Sequence, residues 1–402
     1  MIKTEHLHEQ HPDRAGIHAE AHARPPVAIA SETSESWHWV LQEPQGDPGN
    51  WPKEFDPDSR HQIVERPDGL LRFERHTEFV SLTFFGQTAP RDATLELIKS
   101  CPGRQLAGAR IITAEEPPFD DFFGRNRVFG GQAMFDGIHI STDFQVGDFE
   151  LVHYSVSGNF DDAFSRGRLV KRLLDLETYR VASLLGLPVI RRLIPKLEML
   201  EARADQATRS LDEDSDDLND AIHELADILK RISIIRNEVH FRMAASTAYY
   251  DLVTDRLDSL DEKPVGQRQT LRGFVKHRLD PGMKSIWAFE RRAQNVTSSI
   301  SEALALVRTQ LDHVAQQQSQ DLLASMEQRA RQQVYLAQAV EGLSVAAITY
   351  YAVGLLGYML KGIPDIAIAD DAFVAISIIP IATIVALATR RARRRISKMV
   401  EN

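Results

Sequence analysis

Three kinds of hydrophobic patterning follow one another along the chain. Between Leu70 and about Ser157 the apolar positions alternate or come in short blocks, as in LLRFERHTEFVSLTFF, ARIITAEE and VFGGQAMFDGIHISTDFQVGDFELVHYSVS. Alternation with a period of two, broken by glycine turns, predicts strands, with one short helix at LELIKS. From Phe160 onward the apolar spacing changes to three and four, in GRLVKRLLDLETYRVASLLGL and LNDAIHELADILKRISIIRNEVHFRM. That spacing predicts amphipathic helices, with Pro188 and Pro195 interrupting the chain after the first. A turn near Lys263-Pro264-Val265-Gly266 leads to a further helix, and Asp280-Pro281-Gly282 marks the start of the last one.

That last helix has no proline or glycine from Met283 until Gly342. Ile300, Leu304, Val307, Leu311, Val314, Gln318, Leu322 and Met326 recur at spacings of three and four, a seam like that of a coiled coil. Continuous helix from Met283 to Leu360 would be on the order of 115 Å long. A rod of that length packs along helices of its own chain or of other copies, and both arrangements stay open.

The third pattern is uniform apolarity. Gly342 to Leu360 is an uncharged run of about 19 residues, and Ala372 to Thr389 is a second of about 18. Two such runs in close succession predict a transmembrane hairpin. Arg390, Arg391, Arg393, Arg394, Arg395 and Lys398 follow the second run directly, whereas the connecting loop carries Lys361 against Asp365, Asp370 and Asp371. The positive-inside rule then places the C-terminus in the cytoplasm and the short loop outside. Two spans return the N-terminal part to the cytoplasm as well.

These patterns predict an α+β cytoplasmic domain followed by long helices and a C-terminal two-helix transmembrane hairpin. Residues 1–69 read as a mostly irregular His- and Pro-rich segment with one short helix around Ala15–His22, stopped by Pro25 and Pro26. Residues 70–157 form the α/β domain, 158–282 a helical domain, 283–341 the stalk helix, 342–389 the two spans and 390–402 a basic cytoplasmic tail. The formal charge of the 402-residue chain is −10, and the basic tail means that the acidic excess lies in the preceding residues. An acidic body argues against nucleic acid as a partner. Cys101 is the one cysteine, which excludes an internal disulfide and a cysteine-based zinc ribbon. MIKTEHLHEQHPDR lacks the apolar core of a secretory signal, so the expected setting of the bulk is reducing and cytosolic.

His22-Ala23-Arg24-Pro25, His76-Thr77-Glu78-Phe79 on a predicted strand, and GRLVKRLLDLETYR from Gly167 to Arg180 resemble stretches of a bacterial family of uncharacterised membrane-anchored proteins. The paired C-terminal spans after a long helix are similar too. The resemblance covers nearly the whole chain and implies a place at the inner membrane, without supplying an activity. The order of parts also resembles, more distantly, CorA-type magnesium channels. Those channels carry Gly-Met-Asn at the outer end of the first span, where this chain reads Gly357-Tyr358-Met359-Leu360-Lys361-Gly362. No Asn is present there, and a lysine stands where a cation would enter.

His18 and His22, four apart in HAEAH, share a helix face and suit a divalent cation such as zinc; capping or packing is the plainer role. Arg72, Glu74, His76 and Glu78 alternate on one face of the predicted strand. His76 and Glu78 are the candidate functional pair, able to share acid–base work if a pocket encloses them; a solvated or intersubunit strand face is the alternative. With His22 the pair would also suit a metal-dependent hydrolase. The acidic run Asp212–Asp217 either holds a divalent cation loosely or favours the start of the next helix. Tyr350, Gly354, Gly357 and Lys361 form a stripe along the first span that either lines a pore or packs the two spans together. Arg390, Arg391, Arg393, Arg394, Arg395 and Lys398 serve topology and anionic headgroups. No P-loop, dinucleotide fingerprint or nucleophile elbow occurs.

The expected function is a non-enzymatic, membrane-anchored homo-oligomer of the bacterial inner membrane that senses or scaffolds at the cytoplasmic face. Its alternative is a divergent CorA-like ion channel. The lipid bilayer is the one expected partner besides further copies.

Overall fold

The computed structural model describes residues 11–21, 25–30, 33–42, 50–56, 59–116, 123–133, 137–211, 218–361 and 371–400. They divide between Leu304 and Ala305 into two compact units. In chain order the elements are α1 (Arg14–Ala21), β1 (Ser34–Gln42), β2 (His61–Arg66), β3 (Gly69–Arg75), β4 (Val80–Gly86), α2 (Asp92–Lys99) and β5 (Arg104–Ala114). Next come β6 (Gly131–Gln132), β7 (His139–Val146), β8 (Val152–Ser157), α3 (Ala163–Ala182), α4 (Gly186–Ser210) and α5 (Leu218–Ser259). The chain ends with β9 (Lys263–Pro264), α6 (Leu271–Lys361) and α7 (Asp371–Val400).

The first unit is mixed α+β, with a nine-stranded sheet in the order β2-β3-β4-β1-β5-β8-β7-β6-β9 and long helices after it. Its pairs are antiparallel except β5 with β8. The sequence leads one to expect residues 1–69 to be mostly irregular with one short helix, but Ser34–Gln42 is an interior strand, paired with β4 on one side and β5 on the other, and His61–Arg66 is a strand paired with β3. Trp37, Trp39 and Leu41 alternate with Ser36, His38 and Val40, and all six are buried, so each face of β1 meets a packed layer.

One sheet face is aromatic. Trp37, Trp39, Phe73, Leu82 and Phe84 pack there with Trp51, Phe55 and the Leu97–Ile98 side of α2. On the other face Ile111, Tyr154 and Val156 meet Leu169, Val170, Leu173 and Leu176 of α3, Val253 and Leu257 of α5, and Leu271 and Val275 of α6. A second core is a helical layer: Ile190, Leu193, Leu197 and Leu200 of α4 face Leu225, Ile228, Ile232 and Ile235 of α5 and Met283, Ile286 and Phe289 of α6. The spacing of three and four on all three helices makes this interface continuous.

Two predicted breaks are absent. α4 runs through Pro195, with Pro188 in its first turn, where a missing N–H costs nothing. α6 runs through Pro281 and starts at Leu271, not at Met283. Packing holds the helix across Asp280-Pro281-Gly282: the Tyr250 hydroxyl donates to Asp280 at 2.7 Å, and a Cβ on Gly282 would stand 2.7 Å from Leu184. The start is fixed by Glu262, whose carboxylate accepts from the backbone N–H groups of Leu271 (2.8 Å) and Arg272 (3.1 Å).

The second unit contains the C-terminal part of α6 and α7. Both helices carry stretches long and apolar enough to cross a membrane, by length and composition. Their large apolar side chains are exposed, among them Leu355, Tyr358, Ile376, Ile379 and Ile384.

Candidate functional site at the β3–β4 turn

The pattern RFERHTEFVSL keeps its alternation through a chain reversal. β3 ends at Arg75, and His76–Phe79 form the turn into β4, closed by the His76 N–H donating to the Phe79 carbonyl at 2.9 Å. The four alternating residues therefore do not share one strand face. Arg72 and Glu74 lie buried on β3 with Nη2 and Oε2 3.4 Å apart, while His76 and Glu78 lie beyond the strand end.

The turn is anchored to α5. Arg242 grips the Glu78 carboxylate with both terminal nitrogens, and the Tyr249 hydroxyl donates to Glu78 Oε2 at 2.9 Å. Seven residues apart, Arg242 and Tyr249 stand on one helix face. Burial, then the bond to Glu78, pushes the Tyr249 phenol up. The His76 ring lies 4.5 Å from the Phe79 ring, and its Nε2 is 3.5 Å from Ser81 Oγ. Tyr179 of α3 stacks on Tyr249 with centroids 5.8 Å apart and planes 13° from parallel. Arg60, Arg75, His76, Thr77, Phe79, Tyr179, Tyr249 and Leu252 line a cleft of about 410 Å³ here.

A polar row crosses the sheet. Arg72, Thr83 and His38 are register neighbours on β3, β4 and β1. Thr178 of α3 donates its hydroxyl to Leu174 O at 2.9 Å, so it accepts from His38 Nε2–H at 2.9 Å. His38 Nδ1 then accepts from Thr83 Oγ1 at 2.7 Å, which assigns the neutral Nε2–H tautomer. Burial, reinforced by the charges of Arg72, Lys171 and His76, lowers the imidazole pKa to about 3. Between the ordinary value of 6.5 and that value the unfolded chain binds a proton at His38 and the folded chain does not, so stability is lost as pH is lowered through this window. Within it His38 contributes a slope of about 1.4 kcal/mol per pH unit. Urea melts at pH 4 and pH 6 are expected to show a smaller stability difference for His38→Gln than for the native chain. Equal differences would remove His38 as the cause.

Arg72 also donates to the Pro25 carbonyl at 3.1 Å, and Arg166 to the Ile29 carbonyl at 2.7 Å, so two buried arginines hold the segment Pro25–Ile29. Its approach to α3 is close enough that a Cβ on Gly167 would meet Val27 O at 1.9 Å. Arg72 Nε and Glu74 Oε1 have no hydrogen-bond partner among the described residues.

The remaining sequence candidates fall elsewhere. His18 is exposed on α1; His22 and Asp212–Asp217 lie outside the described residues. Among the described residues no group of three or more His, Cys, Asp or Glu could hold a metal ion. Cys101 is buried, its thiol pushed up to about 12 by desolvation, which makes it a poor nucleophile. Tyr350, Gly354, Gly357 and Lys361 lie on α6; Tyr350 is 77 % exposed, and neither glycine has a described heavy atom within 4 Å of where a Cβ would stand. Arg390, Arg391, Arg393, Arg394, Arg395 and Lys398 lie on α7.

The sequence reading passed over His38, Arg242, Tyr249 and Tyr179. The Trp-His-Trp alternation around His38 was a signal for a strand. Nothing local in Arg242 or Tyr249 points to Glu78, 164 and 171 residues away.

A family model described as "Protein of unknown function (DUF3422)" matches residues 9–396. No curated protein matches the chain. Among solved structures it is similar to BrvH, a flavin-dependent halogenase from Brevundimonas sp. BAL3, at 11 % identity, with a TM-score of 0.16, over 69 % of this chain. The match spans 52 % of that protein, about half its length. A likeness this loose carries no argument about fold or chemistry.

Proposed function

The chain belongs to the family described as Protein of unknown function (DUF3422), and from that premise we propose a membrane-anchored oligomer that senses or scaffolds at the cytoplasmic face of the bacterial inner membrane. The observation that carries this reading is the exposure of apolar side chains along two helices of spanning length, with Ile376 at 70 %, Ile379 at 75 % and Tyr358 at 79 %. In water that surface would drive aggregation; in hydrocarbon it is at home. The Arg390–Lys398 cluster directly after the second apolar run supports a multi-pass anchor with both ends in the cytoplasm.

Self-association is supported by the α6 seam. Leu311, Val314, Leu322 and Met326 are 46 %, 49 %, 62 % and 58 % exposed, and a second copy of the same seam would cover them. One feature favours the ion-channel reading as a second possibility: α6 is a single helix from Leu271 into the first apolar run. There Tyr350, Gly354, Gly357 and Lys361 would line a pore, with a divalent cation as cargo.

Light scattering of the detergent-solubilised protein, corrected for bound detergent, separates the readings. A dimer or other small oligomer that passes no cations supports the anchored scaffold. Five copies per particle, with cation flux altered by substitutions at Tyr350 and Lys361, would replace it with the channel. A monomer would remove the seam as an interface.

A further inference from the structure

We propose that the cavity between the Val27–Ala30 segment and the sheet binds a small uncharged molecule, with an apolar body and one carbonyl that accepts a hydrogen bond from Ser36. Part of its wall is a register row: Leu70, Phe85 and Ser36 are neighbours on β3, β4 and β1. Val27 and Ile29 add further apolar wall. The segment that carries them is pinned at both ends. Arg72 holds the Pro25 carbonyl, and the Ile29 N–H donates to the Ala163 carbonyl at the start of α3 at 3.1 Å. The Phe85 ring is held too, 5.3 Å from the Arg72 guanidinium. The space is about 340 Å³, room for roughly a dozen non-hydrogen atoms at the packing density of protein interiors.

The polar groups decide the ligand class. Ser36 is 1 % exposed, and its Oγ has no hydrogen-bond partner among the described residues. A buried hydroxyl left so is costly, and an oxygen acceptor brought in by a ligand completes it. The other polar side chains of the wall, apart from the exposed Gln87, are engaged already. Ser34 Oγ shares a hydrogen bond with Thr113 Oγ1 at 2.5 Å. Glu35 accepts from Trp37 Nε1 at 2.7 Å and from Arg110 Nε and Nη2 at 3.1 and 3.2 Å. Asp68 accepts from the Arg91 N–H at 2.6 Å and from Thr94 Oγ1 at 2.9 Å. Among the described residues no Lys, Arg or His lines the cavity, so the two carboxylates repel an anionic ligand. Because their own partners hold both carboxylates, neither is left over for a cationic one. An uncharged carbonyl compound is what remains. The proposal is independent of the membrane reading, since it needs nothing beyond the first unit.

The test is calorimetric titration of the full-length protein in detergent, corrected for partition of each probe into empty micelles. The first pair of probes is propiophenone and 2-phenylbut-1-ene, in which a methylene replaces the ketone oxygen. The native chain is expected to bind the ketone about five- to ten-fold more tightly, the worth of one hydrogen bond. In Ser36→Ala the two should bind alike. That substitution removes a hydroxyl without a partner, so its denaturant midpoint should equal or exceed that of the native chain. The similarly sized 3-phenylpropanoate and 3-phenylpropylamine should both bind more weakly than propiophenone. Failure of propiophenone to bind would overturn the proposal, as would an undiminished preference for it in Ser36→Ala, or tighter binding of the acid or the amine. A clear loss of stability in Ser36→Ala would mean that the hydroxyl is engaged within the fold, and would overturn it as well.

Discussion

Replacing Glu177 with alanine is expected to destabilise the sheet domain by about 3 kcal/mol, the largest loss foreseen for a polar substitution in this chain. Glu177 is 1 % exposed on α3, against the sheet. Its Oε2 accepts from the Tyr154 hydroxyl at 2.9 Å and from Arg180 Nε at 3.0 Å, and its Oε1 from Arg180 Nη2 at 2.5 Å. Tyr154 is fully buried on β8, and desolvation holds its phenol well above the ordinary range. Without the carboxylate a buried hydroxyl loses its acceptor and a guanidinium loses its counter-charge. The Arg180 side chain keeps 23 % exposure, which places the expected cost at the lower end for breaking a buried pair. Glu177→Gln retains an acceptor for Tyr154 and should cost roughly half as much. Denaturant melts of both variants check this; a loss below about 1 kcal/mol for alanine would mean that water replaces the carboxylate.

Much of this architecture was legible because long-range packing and local pattern agree. The helices α3 to α5 and the first part of α6, to Ile300, carry apolar residues at three and four that the two cores bury, whereas the same spacing farther along α6, from Leu311, is exposed. Strands β3, β4, β5, β7 and β8 lie where alternation and apolar blocks predicted them. The misses have physical causes. β1 sits in a Pro- and His-rich stretch, and its nine residues mix Trp with Ser and His because one face packs on aromatics and the other on a polar row. Pro195 and Pro281 were read as breaks, yet both helices lie against α5, where side-chain burial outweighs one lost hydrogen bond.

The candidate site was half legible. His76 and Glu78 stood out, but RFERHTEFVSL contains no Gly or Pro to announce the turn in which they lie. The partners that define the site come from α3 and α5, and contacts across such separations leave no trace in local spacing. The apolar runs near the C-terminus needed only composition, since spanning length is a property of the run itself.

Membrane anchoring is the central claim, and topology tests it most directly. A span gains about 0.3 to 0.6 kcal/mol for each Leu, Ile, Phe or Val near its centre, whereas each central Arg or Lys costs about 3 kcal/mol. The runs Gly342–Leu360 and Ala372–Thr389 contain no charge, while the Arg390–Lys398 cluster could cross only at great cost. The decisive measurement is labelling of single cysteines with a membrane-impermeant maleimide in spheroplasts, in a Cys101→Ser background. Ala367→Cys, between the two apolar runs of the sequence, is expected to label in intact spheroplasts, and Gln332→Cys only after lysis. Labelling of Gln332→Cys in intact spheroplasts, or protection of Ala367→Cys until lysis, would contradict a two-span anchor with its folded domain in the cytoplasm.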